Sequence, residues 1–236
     1  MTAWQSLEKS FMDHLRLARR PVAIAFIDAV PAGIPRIDGS QPSGCSFWRL
    51  AAEGKVFHTQ PADHFNCAVG AYTHNIPLSP EREKETEQTL QMMFGVGYLR
   101  PEEVPGIPRL KKTPVATVYA PLGAAPLAPS VVLFSCKPGA AMLLNEAALR
   151  AGSGGTLPAL GRPTCMALPV SLEKGTVSSL GCIGNRVYTA LREDELYVAV
   201  PGADLEKVAV ALSTIVAANR ALEDYAQNRR AQLASA

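Results

Sequence analysis

The stretch Ser178-Ser-Leu-Gly-Cys182-Ile-Gly-Asn-Arg186-Val-Tyr-Thr-Ala-Leu-Arg-Glu-Asp-Glu-Leu196-Tyr-Val-Ala-Val-Pro-Gly202 sets the terms for the rest of the chain. Leu196, Val198 and Val200 alternate with Tyr197 and Ala199, which is the period of a β-strand. Asp204 then stands where a helix N-cap belongs. Leu205, Val208, Leu212, Ile215, Val216, Leu222 and Tyr225 follow as one apolar stripe at helical spacing. A strand feeding a long closing helix is predicted, with the tail after Arg230 frayed. Upstream of the strand, Cys182 lies between Gly181 and Gly184, which reads as a site loop fastened to the sheet.

Working outward, the same alternation of elements recurs. Trp4, Leu7, Phe11, Leu15 and Ala18 give an amphipathic first helix over residues 3–19, stopped by Pro21. Residues 22–27 are an unbroken apolar run of strand length, as expected of a strand covered on both faces. A Pro-, Gly- and Ser-rich loop over 31–44 leads to a short helix over 44–54 and a strand over 55–59. Small residues around Cys67 read as a loop that lets backbone approach a ligand. Ser79 and Pro80 start a helix over 81–94, and residues 95–114 form an extended connection. Strands over 115–120 and 131–135 follow, then a helix over 138–150 with Met142, Leu143 and Leu149 as apolar contacts. The glycine-rich run 152–161 lacks the Gly-Lys-Ser/Thr ending of a phosphate-binding loop. A short helix over 162–172 carries Cys165. The fold class is α/β or α+β, with mixed sheets, flanking helices and a long C-terminal helix.

At 236 residues, 47% hydrophobic and 19% charged, the chain is long enough to bury a full core. A net charge of +2 offers no polyelectrolyte face, so neither nucleic acid nor a membrane surface is expected as a partner. No run approaches the roughly 18 apolar residues of a membrane span, and the N-terminal residues lack a signal-peptide core. A cytoplasmic protein is expected. Five cysteines are an odd number for a disulfide scaffold, and in a reducing compartment they serve as packed thiols, metal ligands or reactive groups.

The cysteines repeat an order. Cys45 precedes Cys67 by 22 residues and Cys165 precedes Cys182 by 17, each second member sitting among small residues with a Tyr-Thr pair just beyond. That echo suggests one globular unit over 1–236 built from two related halves, 1–112 and 113–236, with a cysteine-lined site between them.

Arg20-Pro-Val-Ala-Ile-Ala-Phe26, Cys45 before Glu53-Gly54-Lys55, and Cys67 with Gly70-Ala71-Tyr72 come first in an ordered set of motifs. Ala120-Pro121-Leu122, residues 129–133, and Pro138 with Ala140, Ala141 and Met142 continue it. Gly181-Cys182-Ile183-Gly184-Asn185-Arg186 and Glu193-Asp194-Glu195-Leu196 complete it. Over nearly its whole length the chain resembles the prokaryotic family known as domain of unknown function 169. The resemblance implies that Cys45, Cys67, Cys165 and Cys182 occupy the family's usual cysteine positions and that Cys136 is an extra. It implies no reaction.

Four dispersed thiols would suit an iron–sulfur cluster, most simply 4Fe–4S, with Arg186 offsetting its charge. Zinc is less favoured, because structural zinc sites usually include a Cys-x2–4-Cys pair and none exists here. Four ordinary buried thiols are the plain alternative. The cluster reading implies a redox partner and the packed-thiol reading a small-molecule ligand; a third reading makes Cys182 the nucleophile of a cysteine-dependent enzyme. His58, His64 and His74 flank Cys67, and one could ligate metal or donate a proton; His14 reads as structural. Asp63, Glu193, Asp194 and Glu195 read as turn carboxylates. No hydrolase motif is present, and the sequence is silent on oligomeric state.

Overall fold

A computed structural model describes residues 2–154 and 159–234. The first helix, α1 (Ala3–Leu15), begins at Thr2, whose hydroxyl accepts from the Gln5 N–H while the Gln5 side chain accepts from the Thr2 N–H. It ends well before Pro21, because Arg16 turns left-handed and Leu17 swings back to bond the Met12 carbonyl and bury its side chain. Then follow β1 (Val22–Ile27), α2 (Ser46–Ala52), β2 (Phe57–Thr59), α3 (Ala68–Thr73) and α4 (Pro80–Gly95). The second part holds β3 (Ala116–Pro121), β4 (Val131–Cys136), α5 (Pro138–Arg150), β5 (Ala159–Leu160), α6 (Ala167–Lys174), β6 (Val177–Ser179), α7 (Ile183–Thr189), β7 (Leu196–Pro201) and α8 (Leu205–Ala234).

Among the described residues the strands form one sheet of seven, in the order β2-β3-β1-β4-β7-β6-β5. Every pairing is antiparallel except β5 with β6, so the fold is α+β with a mixed sheet. Alternate residues of each central strand feed two apolar layers. Val198, Val200, Val132, Phe134 and Ala23 pack under α1, α5 and α8. Tyr197, Ala199, Val131, Leu133, Val22 and Ile24 pack on the other face with Phe47 and Trp48 of α2 and Leu168 and Val170 of α6. The alternation in 196–201 is thus between two buried faces rather than between core and solvent.

Six of the seven strands read as a palindrome: β2, β3, β1 and then β4, β7, β6. The first three arise as β1-α2-β2-α3-β3 and the last three as β4-α6-β6-α7-β7, with α4 and α5 as additional helices. β3 pairs with β1 along all of Val22–Ile27. In the sheet β3 therefore lies with β1 and β2, and β4 begins the second set of three.

Two apolar stripes are narrower than their spacing predicts. On α8 the buried side chains run from Leu205 to Val216, while Leu222 and Tyr225 are 64% and 66% exposed, and helix continues through Ala234 rather than fraying after Arg230. On α5, Ala141, Leu144, Ala147 and Ala148 are buried, and Met142 and Leu149 face outward. Residues 155–158 of the glycine-rich run lie outside the described residues. No helix among the described residues is long and apolar enough to cross a membrane.

Candidate functional site

Each of four cysteines stands at or just before the start of a helix on the same side of the sheet. Cys45 is the residue just before α2 and Cys165 lies in the 3-10 turn Thr164–Met166 that leads into α6. Cys67 and Cys182 are the N-cap residues of α3 and α7. Both short helices replace loops expected from sequence: small residues gave the backbone freedom, but hydrogen bonding closes a helical turn. At α3 the Cys67 Sγ accepts the Gly70 N–H at 3.2 Å. A Cβ on Gly70 would stand 3.0 Å from that sulfur, so the glycine leaves room for it. At α7, Gly181 holds φ +81, a left-handed conformation, and a Cβ there would meet Leu191 at 2.8 Å.

All four cysteines line one cavity of about 660 Å³ on the α2/α6 side of the sheet. Hydrogen bonds tie their segments together. The Cys182 N–H donates to the buried Thr164 hydroxyl at 2.6 Å, and the Cys165 thiol points to the Val69 carbonyl at 3.9 Å. Cys45 Sγ lies 3.1 Å from the Ser43 hydroxyl. Cys136 is elsewhere: it is buried in the layer under α1, α5 and α8, across the sheet from the cavity. Among the described residues, no three His, Cys, Asp or Glu side chains are gathered closely enough to hold a single metal ion.

Burial raises the Cys45 thiol to about 11; Ser43 opposes that shift, and the neighbouring Cys67 and Cys182 add to it. Cys165 is pushed well above the ordinary thiol range, first by desolvation and then by Cys67, Cys182 and Cys45. The four thiols thus lie within electrostatic reach of one another. At neutral pH Cys45 and Cys165 are protonated, which makes them weak nucleophiles.

The other residues singled out by sequence fall into two groups. His74 lines the cavity; its Nδ1 bonds the Gly70 carbonyl at 2.8 Å while its buried Nε2 has no partner. Desolvation brings it down to about 4, with the Gly70 contact opposing. His64 sits behind, bonded to Thr59 and with its ring centroid 5.0 Å from that of His74, and His58 bonds the Ile34 carbonyl. His14 contacts Ser10 on α1. Arg186 is beside Gly181, but its guanidinium is bonded to the carbonyls of Leu180, Arg192 and Glu195, clamping the turn before β7. It is not among the residues lining the cavity. Asp63 pairs with Arg36 and Asp194 with Lys137 and Arg192. Glu195 is buried and accepts the Arg192 N–H beside Arg19.

Sequence reasoning assigned no role to Asn185. It is 2% exposed, lines the cavity, and stands close enough to Cys45 and Tyr197 to favour their ionised forms, yet neither amide atom completes a hydrogen bond of ordinary geometry. Its position three residues after Cys182 becomes telling only once 183–189 is known to be a helix, which turns that position inward. The outer wall comes from α4 and the segment after it, including Leu90, Met93, Tyr98 and Leu99. Arg162 lies over the Tyr98 ring, 4.7 Å from its centroid.

The family model for domain of unknown function 169, described as "Uncharacterised ArCR", matches residues 10–211. An uncharacterised protein of the archaeon Methanocaldococcus jannaschii is 27% identical over 218 residues, spanning 86% of this chain and 91% of its own length. No solved structure matches.

Proposed function

We propose that this chain, which belongs to the domain of unknown function 169 family, holds an iron–sulfur cluster, most simply 4Fe–4S, on Cys45, Cys67, Cys165 and Cys182. The observation that supports the reading is the sorting of the five thiols. Four, from distant segments, line one cavity, while Cys136 is shut behind the sheet. Four soft sulfur donors match the ligand set of such a cluster. Zinc is disfavoured because the chain has no Cys-x2–4-Cys pair of the kind that structural zinc sites usually carry.

When bound, such a group supplies one-electron transfer, which gives the protein a redox role and requires an electron partner. The chain's own part is to provide the ligands and exclude water. Because Cys45 and Cys165 are protonated at neutral pH, loading must release their protons, and affinity rises with pH. Arg186 acts indirectly by fixing the Gly181 turn that carries Cys182. Free thiols of this kind fit a reducing, cytoplasmic setting.

Purification without oxygen tests the proposal. A visible absorption that bleaches on reduction is expected, lost in Cys45→Ser and in Cys182→Ser and retained in Cys136→Ser. A protein that stays colourless and iron-free after reconstitution, or equal loss on replacing Cys136, overturns it.

A further inference from the structure

We propose that the same cavity binds a small apolar molecule carrying an amide edge, an N–H donor beside a C=O acceptor, which pairs with Asn185. This goes beyond the cluster reading and does not depend on it.

The size is right for a small molecule: about 660 Å³ falls among cavities of roughly 300–1,000 Å³ that hold such ligands. The wall is apolar. Helix α4 has no fully buried residue, and Thr86, Leu90 and Met93, spaced to share one helical face, all line the cavity. Its apolar side therefore covers the cavity instead of joining the core. Val96 and Ile183, also on the lining, are 70% and 63% exposed, apolar area that an occupant would remove from water.

Asn185 supplies the polar end. A buried amide with neither atom paired is unfavourable, and here both Nδ2 and Oδ1 are unmet. Thiolates or sulfides could accept from Nδ2, but they have no proton to offer Oδ1. A group that donates and accepts side by side meets both needs, and an amide edge is the simplest group that does so.

The test uses 2-naphthamide and its near-isostere 2-acetylnaphthalene, which keeps the carbonyl and lacks the donor, titrated calorimetrically against the purified full chain with iron measured in the same samples. The amide should bind about tenfold more tightly than the ketone, the worth of one buried hydrogen bond. Asn185→Leu should bring the two together, and Met93→Trp should weaken both. Should Asn185→Leu fail to fold by circular dichroism, Asn185→Ala, which likewise offers no acceptor to the ligand N–H, gives the same reading. Equal affinities in the unaltered protein, as for an Asn185 satisfied by water, a preference that survives replacement of Asn185, or no binding of either probe would each overturn the proposal. Cys67→Ser protein stripped of iron should still prefer the amide, so failure of the cluster reading and failure of this one leave different traces.

Discussion

Cysteine 45 shows how far a single residue type can be read. Its membership of a set of four came from the resemblance, but its chemical state depends on the fold, since only burial next to other thiols lifts it to about 11. In metal-free protein at pH 7.5, alkylation of Cys45 by iodoacetamide should be slow and accelerate as pH rises toward 11, followed by mass spectrometry of the peptide. Rapid labelling at pH 7.5 would mean an activated thiol and would revive a nucleophilic reading. Gly181 carries a second residue-scale prediction. Its φ of +81 and the closeness of Leu191 mean that Gly181→Ala should cost about 1–2 kcal/mol in urea denaturation. Asn185 was legible only as a letter in a motif, because a polar residue in a short segment does not announce which way it faces.

At the scale of elements, sequence periodicity worked where helices were long and capped. Ser79 and Pro80 mark the start of α4, and residues 138–150 match α5 in full. It failed for α3 and α7, which are six and seven residues long, too short for a 3.6-residue period to repeat twice, and each of which holds a glycine of the kind that usually signals a loop. Those two helices present Cys67 and Cys182, so the site's local geometry was the least readable part. For α8 the stripe was read too far, because spacing shows which residues share a face but not where the neighbouring helices end. Leu212→Ala, in the core between α8, α1 and α5, should therefore cost about 2–5 kcal/mol. Leu222→Ala should change stability by less than about 0.5 kcal/mol. Urea midpoints of the two variants check the contrast.

For the whole molecule, the sheet brings four cysteines far apart in sequence to the lining of one cavity on one of its sides. The same burial has a cost in acid. His74 takes its proton only near pH 4 when folded, against about 6.5 in the unfolded chain, so between those values the unfolded state binds more protons. Stability is full above about pH 6.5 and falls as pH drops toward 4, by about 3 kcal/mol for His74. His64, also held well below its ordinary value by burial and by His74, adds to the loss. Urea midpoints between pH 7 and pH 4.5 should show this decline, and His74→Gln should flatten it; an unchanged slope would count against buried neutral histidines beside the cavity.

On the function proposed here, Cys45, Cys67, Cys165 and Cys182 act together on one iron–sulfur group. Its most direct measurement is iron and acid-labile sulfide per chain after anaerobic reconstitution and gel filtration. About four of each is predicted for a 4Fe–4S site, with both falling together in any variant that removes one of the four cysteines. Zinc at about one per chain with no sulfide, or iron and sulfide that remain when Cys67 or Cys165 is replaced, would contradict it.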